Sequence, residues 1–171
     1  MGARRIEKSG HSHYMEPVPS DPLPYANLTL EEALRSFRRD HALTDAYDGM
    51  SPEAQLHFER HDIIHVLFGL DTSMKQEVLA DGWALFGTDI SRRDVLDTMK
   101  LTETSALMAE IGWARALVAY LTALPAFLQV AFLSRKLHKK WHWAFAARYR
   151  SCKVADIRRE FGIGHALSVS A

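Results

Sequence analysis

A single cysteine, Cys152, stands in 171 residues. It has no partner for an internal disulfide, so the fold must rest on its own core, and a reducing compartment suits it. There is no excess of charge of either sign: 21 Lys plus Arg balance 21 Asp plus Glu. That balance removes any overall argument for wrapping nucleic acid, and nucleic acid is not expected as a partner. No apolar stretch follows Arg4 and Arg5, which excludes a secretory signal from the opening residues, and an intracellular location is expected. Period-2 alternation of useful length is missing too, as are internal repeats. Sheet and solenoid architectures are thereby disfavoured.

Proline is scarce and unevenly placed. Pro17, Pro19, Pro22 and Pro24 crowd the first segment, which carries no helical periodicity and reads as an extended arm over residues 1–27. His11 and His13 lie in that arm and read as solvated. Residues 28–171 then present one helical start after another. Thr29 with Glu32 forms a capping box ahead of Leu30, Ala33, Leu34 and Phe37. Ser51-Pro52-Glu53 opens a second helix that should end at Gly69, and Thr72 or Ser73 opens a third carrying Val78, Leu79, Trp83 and Phe86. Ser91 with Asp94 starts another, and a last helix covers about Val154 to Phe161 before Gly162. The expected fold class is all-α, a compact multi-helix domain.

Residues 116–133, ALVAYLTALPAFLQVAFL, contain no charged side chain. This run nearly reaches spanning length, but Pro125 and Gln129 interrupt it, so a buried or membrane-surface helix pair is expected. Arg135, Lys136, Lys139, Lys140, Trp141, Trp143, Arg148 and Arg150 follow. Cations interleaved with tryptophans suit an anionic bilayer surface; a solvated helix face flanking the core is the alternative.

The residues with chemistry sit in the second helix, which reads His61-Asp62-Ile63-Ile64-His65. At about 100° per residue, His61, Asp62 and His65 share one side of the helix, so three metal-capable groups can converge. Imidazole suits zinc and other transition ions, and a carboxylate adds neutralising charge as a ligand or a general base. A hairpin turn centred near Asp71 puts Glu77 opposite His65 and Asp81 opposite His61, with His57 one turn earlier on the same stripe. Glu77 is therefore the natural fourth ligand, and Asp81 and His57 are candidates for orienting the ligands. Asp62 and Glu77 are the candidate catalytic carboxylates. Tyr120, Trp113 and Trp143 are candidates for a ring pocket, although aromatics at helical spacing usually fill cores.

The stretch HDIIHVLFGLDTSMKQE, from His61 to Glu77, is His-Asp-x-x-His followed by eleven residues and Glu. In that spacing, in the Ser51-Pro52-Glu53 approach and in the closing VADIRREFGI, the chain resembles the coenzyme Q (ubiquinone) biosynthesis family, whose members are described as scaffolds of the ubiquinone-synthesis complex and as ring decarboxylases. The resemblance implies a divalent ion, zinc above all, held by His61, Asp62, His65 and Glu77. It implies oxidative decarboxylation at ring carbon 1 of a polyprenylated benzoquinone precursor. It further implies an isoprenoid lipid as ligand and peripheral attachment to the cytoplasmic side of a membrane, or to the mitochondrial inner membrane in a eukaryote. Other ubiquinone-synthesis proteins, or a second copy of the chain, are the implied protein partners. Two rival functions remain: a non-catalytic prenyl-lipid-binding scaffold, and a His-Asp metal-dependent phosphohydrolase drawing on His41 or His57 and Asp94 or Asp97.

Overall fold

A computed structural model describes residues 21–100, 106, 109 and 112–168. His11, His13 and most of the proposed arm lie outside the described residues. Seven α-helices appear among the described residues, and no strand. They are α1 (Leu30–Asp40), α2 (Pro52–Phe68), α3 (Met74–Gly87), α4 (Arg92–Met99), α5 (Trp113–Leu133), α6 (Val154–Phe161) and α7 (Ile163–Ser168). The all-α expectation is borne out and the first four helices start at the expected capping residues, but Val154–Phe161 is not the last helix, since Ile163–Ser168 follows Gly162.

The local chemistry of those starts is visible. Thr29 and Glu32 form the reciprocal capping box at α1, and Ser51 accepts from the Ala54 amide with Pro52 in the first turn of α2. Gly69 ends α2 with φ of 67°, a left-handed conformation that would strain a side chain, and a Cβ there would come within 3.1 Å of Leu23.

Helix α2 is the centre of the domain. Its last six residues, Ile63 to Phe68, are all buried, on every side of the helix. Helix α1 covers one side with Leu30, Ala33, Leu34 and Phe37, and α3 covers another, where Phe68 stacks on Trp83 at 4.1 Å between ring centroids. Helices α6 and α7 close the core with Val154, Ile157, Phe161 and Ile163. Residues 21–27 are tied in as well: Ala26 is buried, and its carbonyl accepts from the Ala155 amide at 3.0 Å.

Helix α5 departs from expectation. It runs unbroken for 21 residues with Pro125 inside it, so the uncharged run is one helix and not a pair. One side packs on α3, where Gly82 lets Phe127 and Val130 approach to within 3.1 and 3.4 Å of where a Cβ would stand. The rest of the helix is bare: Leu117, Val118, Leu121, Leu124, Leu128 and Phe132 are exposed. By length and composition Leu117–Lys136 is long and apolar enough to cross a membrane.

The basic segment after α5 is also not the helix face considered above. It consists of turns with two short 3-10 helices, at Ser134–Lys136 and Ala146–Tyr149. Trp141 and Trp143 are buried in the core, against Tyr149 and Phe161 in the case of Trp141. They are therefore core aromatics, not headgroup anchors, and Trp143 does not line an open ring pocket. The side chain of Trp113 lies outside the described residues.

Candidate metal centre

The hairpin of α2 and α3 turns through residues 69–73, and the register follows the mirror symmetry about Asp71. His65 Nε2 lies 3.4 Å from Glu77 Oε2, and His61 Nε2 lies 3.4 Å from Asp81 Oδ1. His61 Nε2 is also 4.0 Å from Glu77 Oε2. Ligand atoms of His61, His65 and Glu77 all fall within 4.8 Å of one another, close enough to hold one ion. Two imidazoles and a carboxylate are a donor set used by catalytic zinc and by non-haem iron alike.

Burial grades across this group. His65 is 2% exposed, His61 17% and Glu77 37%, so the cluster is anchored in the core and opens toward solvent on the α3 side. The His65 ring stacks on Phe37 with centroids 5.3 Å apart, and its Nδ1 is buried without a hydrogen-bond partner among the described residues. It lacks the outer hydrogen bond that usually fixes a ligating imidazole, and packing against Phe37 fixes the ring in its place. Burial opposes charge on His61, but the hydrogen bond and charge of Asp81, with Glu77 and Asp62 nearby, hold its pKa above the ordinary histidine value.

Asp62 is not in the group. Its Oδ2 accepts from Arg38 Nε at 2.8 Å and from the Tyr47 hydroxyl, on the side of α2 that faces α1. The physical reason is its position about 100° round the helix from His61, where a guanidinium from α1 claims the carboxylate. Burial and the Asp62 charge push the Tyr47 hydroxyl far up in pKa, so it remains a donor. Asp62 is thus placed to join α1, α2 and the 41–51 connection.

Of the residues a phosphohydrolase would need, none joins the cluster. His41 Nδ1 lies 3.3 Å from Thr72 Oγ1, Asp94 caps α4 through Ser91, and exposed Asp97 pairs with Arg93 and Lys100. His57 packs near Trp143 at 5.6 Å between centroids. Tyr120 supplies a contact that no sequence spacing announces: its hydroxyl donates to Asp81 Oδ2, linking α5 to the cluster. No family model, curated protein or solved structure matches the chain.

Proposed function

We propose that this chain is a metal-dependent enzyme acting on an amphipathic ring acid at a membrane surface, with oxidative decarboxylation of a polyprenylated benzoquinone precursor in ubiquinone biosynthesis as the specific reaction. One observation carries the metal part of the reading: His61, His65 and Glu77 converge within 4.8 Å at the edge of the core. A divalent ion bound there would supply a Lewis-acid position for the substrate's carboxylate or phenolate and would stabilise negative charge arising on the ring as carbon dioxide leaves. His61, His65 and Glu77 are the residues that hold the ion. Replacing the ring carboxyl with a hydroxyl is a net two-electron oxidation: carbon dioxide leaves, water supplies the hydroxyl oxygen, and dioxygen as co-reactant takes up the two electrons and two protons to leave as hydrogen peroxide.

The substrate class rests on what lies next to the cluster. Tyr120, bonded to Asp81, belongs to the helix whose leucines and Phe132 are bare. A prenyl tail lying along that face while the ring approaches Glu77 would bury both, and the same face can rest on acyl chains. Pro125, Gln129 and the packing of Phe127 and Val130 against α3 favour a helix lying on the bilayer over one crossing it.

A scaffold with a structural ion is the second reading, favoured by the closeness of Asp81: a fourth protein donor would close a tetrahedral zinc site. The deciding experiment measures metal by element in untagged protein and in the His61→Ala, Glu77→Ala double variant. Each preparation is then assayed for release of carbon dioxide from a prenylated hydroxybenzoate under oxygen. Near-stoichiometric metal and carbon dioxide release in the native chain, both lost in the variant, support the enzyme. Metal without turnover supports the scaffold, and no metal in either preparation removes both readings.

A further inference from the structure

We propose that Asp81, oriented by Tyr120, is the fourth protein ligand of this centre and that Asp62 is not a ligand. The inference rests on the metal reading above.

Its first support is spacing. His61 and His65 are one turn apart on α2, and Glu77 and Asp81 are one turn apart on α3. Across the antiparallel pair they meet in register, with 3.4 Å between each facing couple. Two donors each about 2.1 Å from a common ion, at a tetrahedral angle, stand about 3.4 Å apart. Each couple has the separation of two donors on one ion; the mutual convergence within 4.8 Å holds for His61, His65 and Glu77, and Asp81 adjoins that group through His61.

The second support is which nitrogen Asp81 approaches. A carboxylate that merely orients a ligating histidine binds the ring nitrogen remote from the metal. Asp81 Oδ1 instead approaches Nε2 of His61, the atom that also faces Glu77. It stands on the same side of the imidazole as Glu77.

The third support is orientation. Asp81 has one oxygen on the Tyr120 hydroxyl and the other toward His61, so Tyr120 presents Oδ1 to the cluster from α5. Asp62, by contrast, is held by Arg38 and Tyr47. Four protein donors would close a tetrahedral ion, whereas a five- or six-coordinate ion keeps positions for substrate. A catalytic role therefore calls for the higher coordination number, as with iron, manganese or cobalt.

The test titrates the full chain with cobalt(II), following the visible d–d bands and the affinity together, in the native protein and in Asp81→Asn, Tyr120→Phe and Asp62→Asn. Asp81→Asn should alter the band positions and weaken binding by more than the about 10- to 100-fold typical of losing an outer-shell partner. Tyr120→Phe should weaken binding less, with a smaller spectral change. Asp62→Asn should leave the bands unchanged; because Asp62 also anchors Arg38, Tyr47→Phe provides a second perturbation of that carboxylate should the first variant fail to fold. Native bands and affinity in Asp81→Asn, or altered bands in Tyr47→Phe with native ones in Asp81→Asn, would overturn the assignment while leaving the three-residue centre standing. A native chain that takes up no cobalt would remove the metal reading itself.

Discussion

Arg38 donates through Nε to Asp62 Oδ2 at 2.8 Å, and this pair divides the His-Asp-x-x-His segment into two roles. The Nε2 atoms of His61 and His65 face α3, and the aspartate faces α1. Tyr47 donates to the same oxygen, and Glu59 stands 3.9 Å from the Arg38 Nη2. Asp62 is buried and the Arg38 side chain is 23% exposed, so removal of the carboxylate leaves a partly buried cation short of its counter-charge.

Asp62→Ala should therefore cost about 2 kcal/mol of folding stability, in the range for a charge-assisted hydrogen bond. Chemical denaturation of the metal-free protein reads this directly. A variant with unchanged midpoint would show that the Arg38 pair contributes nothing, and would return Asp62 to consideration as a purely functional carboxylate.

The second prediction concerns His57, which lies one turn before His61. Burial pushes its pKa down to about 4; the charges of His61 and Arg60 push the same way, and Asp81 opposes them. In the unfolded chain the imidazole titrates near the ordinary histidine value, about 6.5. Between those two values the unfolded state binds the extra proton, so stability falls as pH drops from about 6.5 toward 4. Above that window His57 contributes no slope. In metal-free protein, His57→Phe should flatten this part of the pH–stability curve measured by denaturant titration. An identical slope in the variant would place the pH dependence elsewhere.

The hairpin was legible in the sequence because two local rules suffice: a turn centre fixed by Gly69 and Ser73, and the periodicity of each helix. Together they pair His65 with Glu77 and His61 with Asp81, as found. What escaped depends on tertiary partners. Asp62 shares a side of α2 with the histidines on a helical wheel, and only the arrival of Arg38 from α1 decides where its carboxylate goes. Trp141 and Trp143 lie in turns without periodicity, so nothing local distinguishes a core tryptophan from a surface one. For residues 116–133 the sequence left a buried and a membrane-surface placement both open, and only the packing of Phe127 and Val130 on Gly82 of α3 decides which side of α5 is covered and which is bare.

Arg158 carries the last prediction. It is 1% exposed, and it donates from Nε to the Leu67 carbonyl at 2.8 Å and from Nη2 to those of Val66 and Pro24 at 2.6 and 2.9 Å. Its Nη1 meets Asp21 at 3.1 Å. One guanidinium thus satisfies carbonyls at the end of α2 and binds residues 21–24 to the domain, with burial lowering its pKa against the opposing pull of Asp21. Methionine can occupy similar volume but offers no donor, so the buried Val66 and Leu67 carbonyls, the Pro24 carbonyl and the Asp21 carboxylate lose a partner together. Arg158→Met should cost about 3 kcal/mol, since breaking a buried charged network is strongly destabilising. It should also raise hydrogen exchange at the Leu23 amide, which donates to Asp21 at 2.9 Å. Because α2 carries His61 and His65, the same variant should weaken metal uptake only as far as it unfolds the chain. Loss of metal at full native stability would mean that Arg158 acts on the centre itself.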